Sequence, residues 1–541
     1  MTDTHAAAIA AVDAAGTLVD AAVRHLANAA SDNGRISVSK LDLHQVVAYD
    51  LAHAAAAVAG SRVMLEYAQH GALEAKLSYA YIADVFADIA SRLVGRDGLW
   101  GVNPGDLAVA HDFVAAHRDP EFLAALADEL PRHGTGPAHL DDEFDMVRDT
   151  FHRFAHDKIR PVAEHIHRTN ADIPDEIIDG MAEIGGFGLS VPEEYGGFAV
   201  GGDSDYLAMC VATEELSWGS LGAGGALITR PEILTRAIVK GGTEEQKHRW
   251  LPQIASGERI VGVMVTEPDF GSDVAGVKVT ATPAAGGYLV NGVKTWCTFA
   301  GRADTLMVLV RTDADRSLGH RGLSVVVVDK PPAPGHHFAF DDGHDGKMEG
   351  RAIDTLGYRG MHSFEVAFDN WFVPAENLIG LDAGLGKGFY LQMEGFENGR
   401  LQTAARAVGL MQAAFEAGLG YAQDRNVFGK PIFDYQLSKV KLAKMAALIC
   451  AGRQFSYAVA RQMARGEGAL EASMVKAYVC RAAEWVTREA LQLHGGMGYA
   501  EEFPVSRYFV DARVLSIFEG ADETLCLRVI ARRLTEQALA G

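Results

Sequence analysis

Cysteine is scarce in this chain: five residues among 541, at positions 210, 297, 450, 480 and 526, with no CxxC pair and no zinc-ligand spacing. Singles scattered this way rule against a disulfide framework and read as the reduced thiols of a cytoplasmic protein. Basic charge is also short, with 49 Lys plus Arg against 71 Asp plus Glu and a formal charge of −22. Such a surface repels phosphate backbones and no local basic patch offsets it, so nucleic acid is not an expected partner. No uninterrupted apolar run reaches the roughly 18–20 residues of a membrane span. The Ala-rich N-terminus is broken by Asp and Arg and lacks the basic-then-apolar order of a signal peptide. HExxH is missing and the His residues are dispersed, so no metal site is expected. No GxGxxG follows a strand, which leaves out a Rossmann dinucleotide site.

What is present is enough chain for several domains, because single cores stop growing near about 250–300 residues. Residues 1–137 read as a helical extension. Within it Ile82, Val85, Phe86, Ile89 and Leu93 recur at helical spacing, with Asp84, Asp88 and Arg92 on the opposite face. His133-Gly-Thr-Gly-Pro137 reads as a linker. Residues 138–260 are again helical, interrupted by Glu193-Glu-Tyr-Gly-Gly197. From 261 to 376 the pattern changes to short β-branched runs such as Ile260–Val265, Leu306–Val310 and Leu323–Val328, separated by Gly, Pro and Asp turns. That is the pattern of a small antiparallel β unit. Residues 377–541 return to helix. The fold class expected is mainly α with a central antiparallel β domain.

Two stretches of this β unit carry chemistry. Thr266-Glu-Pro-Asp-Phe-Gly-Ser-Asp273 ends a strand and turns at Gly271 and Ser272; about twenty residues later comes Asn291-Gly-Val-Lys-Thr-Trp-Cys-Thr298. Together they offer backbone and hydroxyl donors and an aromatic plate, which is what a flat, polar-edged cofactor such as a flavin needs. Taken singly, a Trp in a strand is core, a Gly-Ser turn is only a turn, and Arg425 is a solvated helix residue.

In combination, four separated parts resemble the acyl-CoA dehydrogenase family in the family's own order. They are Thr266–Asp273, Trp296-Cys-Thr298, Asp424-Arg-Asn-Val-Phe-Gly-Lys430, and His494-Gly-Gly-Met-Gly-Tyr499 leading to Phe518-Glu-Gly520. The resemblance runs from about residue 141 to the C-terminus. It implies a helical domain, a β domain and a helical bundle, with FAD at their junction. By position, Val265, Thr266, Gly271 and Ser272 would meet the flavin and its phosphates, Trp296 would lie against the ring, and Thr298 would donate toward N5. Arg425, Phe428, Gln492 and Gly496 would hold the pyrophosphate and adenine across a subunit interface. A homodimer or homotetramer is therefore implied, with electrons leaving to an electron-transfer flavoprotein. The pattern departs at Ala521, where the family commonly has Thr, so one cofactor hydrogen bond does not carry over.

The reaction implied is α,β-dehydrogenation of an acyl-CoA, which needs a carboxylate against the weakly acidic α C–H. Glu519 matches the family's catalytic glutamate. Its alternative role is a carboxylate at a helix N-terminus. The family's other base position falls just before Arg400, and Gly399 stands there. The extension, with the run Glu349–His362 and Asp369-Asn-Trp-Phe-Val-Pro374, resembles members acting on methylsuccinyl-CoA to give mesaconyl-CoA in the ethylmalonyl-CoA pathway. Such a substrate carries a second carboxylate, and burying it requires a cation or several hydrogen bonds. Arg230 is the candidate partner, with Ser272 and Arg400 also toward the substrate; the other reading of Arg230 is an exposed helix-end residue. Competing readings are a dehydrogenase of a branched monocarboxylic ester (isobutyryl- or 2-methylbutyryl-CoA), an oxidase, and a non-catalytic flavin scaffold.

Overall fold

A computed structural model describes residues 3–540, the side chain of Asp203 apart. Three long helices open it: α1 (Asp3–Ala30), α2 (Gln45–Tyr67) and α3 (Ala72–Leu93). Shorter helices follow, among them α4 (Thr229–Gly241). The strands of the main sheet are β1 (Val261–Met264), β2 (Thr280–Ala284), β3 (Gly287–Thr298), β4 (Thr305–Arg311), β5 (Leu323–Asp329), β6 (His337–Asp341), β7 (Lys347–Ile353) and β8 (Ser363–Pro374). Then come α5 (Gly388–Asp424), α6 (Gln436–Ala464), α7 (Ala469–His494) and α8 (Pro504–Leu515). The chain forms two compact units, one from the residues up to Glu143 with those from Thr403 onward, the other Phe144–Gln402.

In the first unit the N-terminal extension and the C-terminal helices pack as one bundle. α2 packs on α1 and α3 and equally on α6 and α7, and α1 packs on the helix Ala531–Ala540. The cause is in the sequence of α2: Ala54-Ala-Ala-Ala-Val58 is buried, and a helix apolar all round must be enclosed. By length and composition α1 is long and apolar enough to cross a membrane. Its stripe Ala8, Val12, Ala15, Val19, Ala22 and Leu26 is instead used inside this bundle, with Asp13, Asp20 and Arg24 facing out. α3 buries its apolar face as its spacing requires. Its charged face is not simply solvated: Asp84 meets Arg118 and Lys444, and Arg92 meets Asp50 at 2.6 Å.

The second unit is built on an eight-stranded sheet, ordered β1-β4-β2-β3-β8-β7-β6, with β5 paired to β4. It is antiparallel except around β4, which runs parallel to β1 and meets β2 in one parallel bridge. Every residue of β4 is buried, because alternate side chains enter two cores. Met307 and Leu309 join Trp250, Leu251 and Ile254 on the helical side; Leu306, Val308 and Val310 join Phe364, Val366 and Trp371 on the other. The helix carrying Trp250 starts at a complete capping box, Thr243 with Gln246, which satisfies two of its orphan N–H groups.

Candidate active site

In the sheet unit the two chemistry-bearing stretches are bolted together by a buried ion pair. Glu267 accepts from the backbone N–H of Lys278 (2.6 Å) and Val279 (2.8 Å) and from Lys294 Nζ (2.9 Å). Lys294 also donates to the carbonyl of Val265 at 2.9 Å, and the Thr295 N–H donates to the carbonyl of Thr266 at 2.8 Å. Thr266 therefore lies beside β3 one residue before Trp296. On β3, Thr295 and Trp296 stand opposite the single residue Glu365 of β8, which makes a β-bulge. The extra residue breaks alternation: Trp296 takes φ 58° and is 56% exposed between neighbours that are buried. A bulky residue at positive φ is strained by about 1–3 kcal/mol and persists only where its surroundings impose it. Thr298, at the end of the strand, has its hydroxyl 3.1 Å from that of Ser363. Gly271 and Ser272 lie on an exposed turn. A rigidly presented indole with Thr298 on the same strand and Thr266 beside it suits a flat, hydrogen-bonding ring system.

A second cluster in the same unit lies on facing helices. Arg230, in the first turn of α4, is only 6% exposed and its Nη1 is 3.4 Å from the Tyr358 hydroxyl. The exposed helix-end reading of Arg230 is thus overturned, because α4 begins inside the unit. α4 lies along α5: Thr229 Oγ1 donates to Gln402 Oε1 at 2.6 Å, and a Cβ at Gly395 would come within 3.0 Å of Ile233. On this part of α5, Gln392 and Asn398 are fully buried, and neither atom of either side-chain amide has a hydrogen-bond partner among the described residues. Each orphaned group costs on the order of 1–3 kcal/mol, so the two amides call for polar partners, whether ordered water or a ligand. Arg400 is half-buried on the same helix, next to buried Gly399.

Tyr358 is carried by an irregular stretch anchored to residues 167–173. Arg359 Nη1 donates to the His167 carbonyl at 2.7 Å, Ile173 N–H to Gly360 O at 3.3 Å, and His362 Nε2 lies 2.9 Å from Asp172. The His362 interaction holds the Asp172 carboxyl below its usual range. Gly222 admits this stretch closely: a Cβ there would stand 2.3 Å from the Arg359 carbonyl oxygen. Gly222→Ala should lower stability by about 1–3 kcal/mol, the usual cost of overpacking. A thermal midpoint unchanged from the parent would show that the stretch can yield.

In the helical unit, Glu519 follows α8 in the segment Ser516-Ile-Phe-Glu-Gly-Ala-Asp522. It has φ 53°, and its Oε2 is buried with no hydrogen-bond partner among the described residues. The one-turn helix that follows begins at Asp522, so Asp522 and Glu523 occupy its first turn and Glu519 does not. Phe518 lies under the guanidinium of buried Arg406, 5.3 Å from ring centroid to Cζ. Arg425, Gln492 and Gly496 are exposed. Phe428 is 96% exposed at φ 51°, on the tip of a two-residue hairpin braced by the Tyr435 hydroxyl on the Val427 carbonyl (2.6 Å). None of the five cysteines is in a disulfide and all are buried, and burial pushes Cys297, Cys450 and Cys480 up to about 12, so these thiols stay protonated.

Sequence reasoning missed Glu267 and Lys294 as the joint between the two stretches, although both lie inside the quoted motifs. It also missed Gln392 and Asn398, for which amphipathic spacing gives no signal.

Three family models match this chain: "Acyl-CoA dehydrogenase, N-terminal domain" over residues 141–258, the "middle domain" over 262–371 and the "C-terminal domain" over 386–535. A (2S)-methylsuccinyl-CoA dehydrogenase of Cereibacter sphaeroides is 38% identical over 526 residues, covering 93% of each chain. A mitochondrial 2-methylacyl-CoA dehydrogenase of Solanum tuberosum is 36% identical over 400 residues, 73% of this chain and 91% of its own. Among solved structures, a glutaryl-coenzyme A dehydrogenase in complex with glutaryl-CoA superposes with TM-score 0.66 at 31% identity, over 73% of this chain and 95% of that one.

Proposed function

Because the chain belongs to the acyl-CoA dehydrogenase family, an FAD-dependent group of CH–CH oxidoreductases, we propose that it oxidises (2S)-methylsuccinyl-CoA to mesaconyl-CoA with Glu519 as the base. The observation that carries the choice of ester is Arg230, buried on α4 with its Nη1 3.4 Å from the Tyr358 hydroxyl. A buried guanidinium suits a second carboxylate, which it can hold in a bidentate pair and which an alkyl chain would not replace. The 38% identity to a methylsuccinyl-CoA dehydrogenase, reaching into the N-terminal extension, also supports it.

In this reading Glu519 takes the α proton of the ester while the β hydride leaves. Bound FAD supplies the two-electron acceptor for that hydride. Trp296 gives the ring a fixed face, Thr266, Ser272 and Thr298 supply hydroxyls to its polar edge, and Val265 and Gly271 contribute backbone. Arg400 and Ser272 orient the ester. Arg425, Phe428, Gln492 and Gly496 would grip the adenine half of FAD with a second copy of the chain; the projecting Phe428 favours an oligomer, dimer or tetramer. An electron-transfer flavoprotein would reoxidise the enzyme. Five cysteines outside any disulfide accord with a reducing, cytoplasmic setting.

The test is the ratio of kcat/KM for methylsuccinyl-CoA and 2-methylbutyryl-CoA. We expect the first to win by a factor on the order of 10² or more, and Arg230→Met to remove most of that advantage while changing the second substrate little. A parent enzyme preferring 2-methylbutyryl-CoA would establish the monocarboxylic reading instead.

A further inference from the structure

We propose that the N-terminal extension acts on the reaction: Tyr49 and His53 of α2 are positioning residues that hold Glu519 through Asp522. The proposal rests on Glu519 being the base. Asp522 is buried three residues beyond it, and its Oδ2 accepts from the Tyr49 hydroxyl at 2.5 Å and lies 3.2 Å from His53 Nε2. Cys526 Sγ lies 3.3 Å from the same His53 nitrogen and 3.9 Å from Asp522 Oδ1. Burial alone would raise the Asp522 carboxyl, but the hydrogen bonds from His53 and Tyr49 outweigh it and hold it low, as an ionised acceptor.

The loop that carries Glu519 is fastened at three places. At its start, the Ser516 hydroxyl donates to Glu484 Oε1 at 2.6 Å. In its middle, buried Lys476 donates to the Gly520 carbonyl at 2.6 Å. At its end, the Asp522 N–H closes on the Ser516 carbonyl at 3.0 Å while the Asp522 side chain is held by α2. Two of these fastenings come from α7, and the third comes from the extension. Between them Glu519 sits at φ 53°, a conformation that survives only if the ends of the loop are fixed. Releasing Asp522 lets the backbone relax to negative φ, which swings the carboxylate. A displacement of about 1 Å is enough to cost on the order of 10² in rate.

The His53, Asp522 and Cys526 donor atoms lie within 4.8 Å of one another, which would also admit a metal ion. Here Tyr49 already takes the Asp522 oxygen, and the guanidinium of Arg481 lies 5.9 Å from the Tyr49 ring, a poor setting for a further cation.

The experiment uses the full-length FAD-loaded enzyme and its Tyr49→Phe, Asp522→Ala, Asp522→Asn and Glu519→Gln variants. Single-turnover bleaching, exchange of the ester's α proton into D2O, ester Kd, FAD content and thermal midpoint are measured together. Tyr49→Phe should slow bleaching and proton exchange together by about 10- to 100-fold, with Kd and FAD content within twofold of the parent. Asp522→Asn, which can still accept from Tyr49, should recover most of the rate lost in Asp522→Ala. Parental rates in Tyr49→Phe and Asp522→Ala, with Glu519→Gln inactive, overturn the proposal and leave the base in place. Bleaching at the parental rate in Glu519→Gln overturns the base assignment and this proposal with it. Activity lost on chelation and restored by zinc would overturn it in favour of a metal centre. Should Asp522→Ala fail to fold, Tyr49→Phe, which loses only a hydroxyl, decides alone.

Discussion

Glu519→Gln purifies yellow, with full FAD content and a thermal midpoint close to the parent's, and does not bleach when methylsuccinyl-CoA is added without oxygen. That is the expected result, and each part of it has a separate cause. Gln matches Glu in shape and meets the same backbone demand at φ 53°, so the loop keeps its conformation. Glu519 Oε2 has no hydrogen-bond partner among the described residues, so the substitution breaks no structural bond there. A carboxamide does not accept a proton near neutral pH, so the contribution of general base catalysis, about 10²–10⁴, disappears. No neighbouring carboxylate replaces it at the family's other base position, because Gly399 carries no side chain. A structural carboxylate would behave in the opposite way, losing stability and keeping rate. A yellow Glu519→Gln protein that bleaches at the parental rate would remove Glu519 from the chemistry. A parent protein that binds FAD and bleaches with no CoA ester would favour a flavin scaffold.

The sequence was most informative where function depends on contiguous residue types. The Thr266–Asp273 and Trp296–Thr298 stretches suggested a flavin-type site from hydroxyls, a turn and an indole, and the family match supports FAD as the cofactor. The way Trp296 is presented could not be read, because a bulge depends on pairing between β3 and β8, seventy residues apart. Nor could the parallel run of β1 on β4, since apolar alternation is the same for either direction. The periodicity of α3 gave its buried face correctly. It could not say that Asp84 and Arg92 on the other face meet Lys444, Arg118 and Asp50, because those partners come from distant elements. Arg230 followed the same rule: its place at a helix start was visible, and its burial was decided by α5 and the 358–362 stretch. The fusion of the extension with the C-terminal helices had one local sign, the Ala-rich run Ala54–Val58 of α2, which leaves that part of the helix without a polar face.

Glu267→Ala should be the most damaging single change in the sheet unit. The Glu267 carboxylate accepts three hydrogen bonds, and Lys294 is wholly inaccessible to solvent. Deleting the carboxylate leaves two backbone N–H groups unsatisfied and a buried ammonium without its counter-charge; breaking a buried pair from one side costs about 3–5 kcal/mol. Glu267→Gln should cost less but is not benign, since one end of its amide would point N–H at N–H. Lys294→Met should be mildest, because Glu267 would keep its two backbone donors. The deficit should also depend on pH, and the sign is fixed. Burial already lowers the Lys294 pKa, with Glu267 opposing that shift. Without Glu267 it falls further, so the folded state binds fewer protons than the unfolded chain over a wider range below the ordinary lysine pKa. Stability of Glu267→Ala should therefore be poorest at low pH and recover toward the parent as pH rises. FAD retention should fall in the same order as stability across the three variants, because this pair joins the Thr266 segment to the strand bearing Trp296. Thermal midpoints and bound FAD measured from about pH 6 to about pH 9 would check both. A Glu267→Ala protein that stays yellow and melts like the parent at every pH would mean the two stretches are held by their backbone pairing alone.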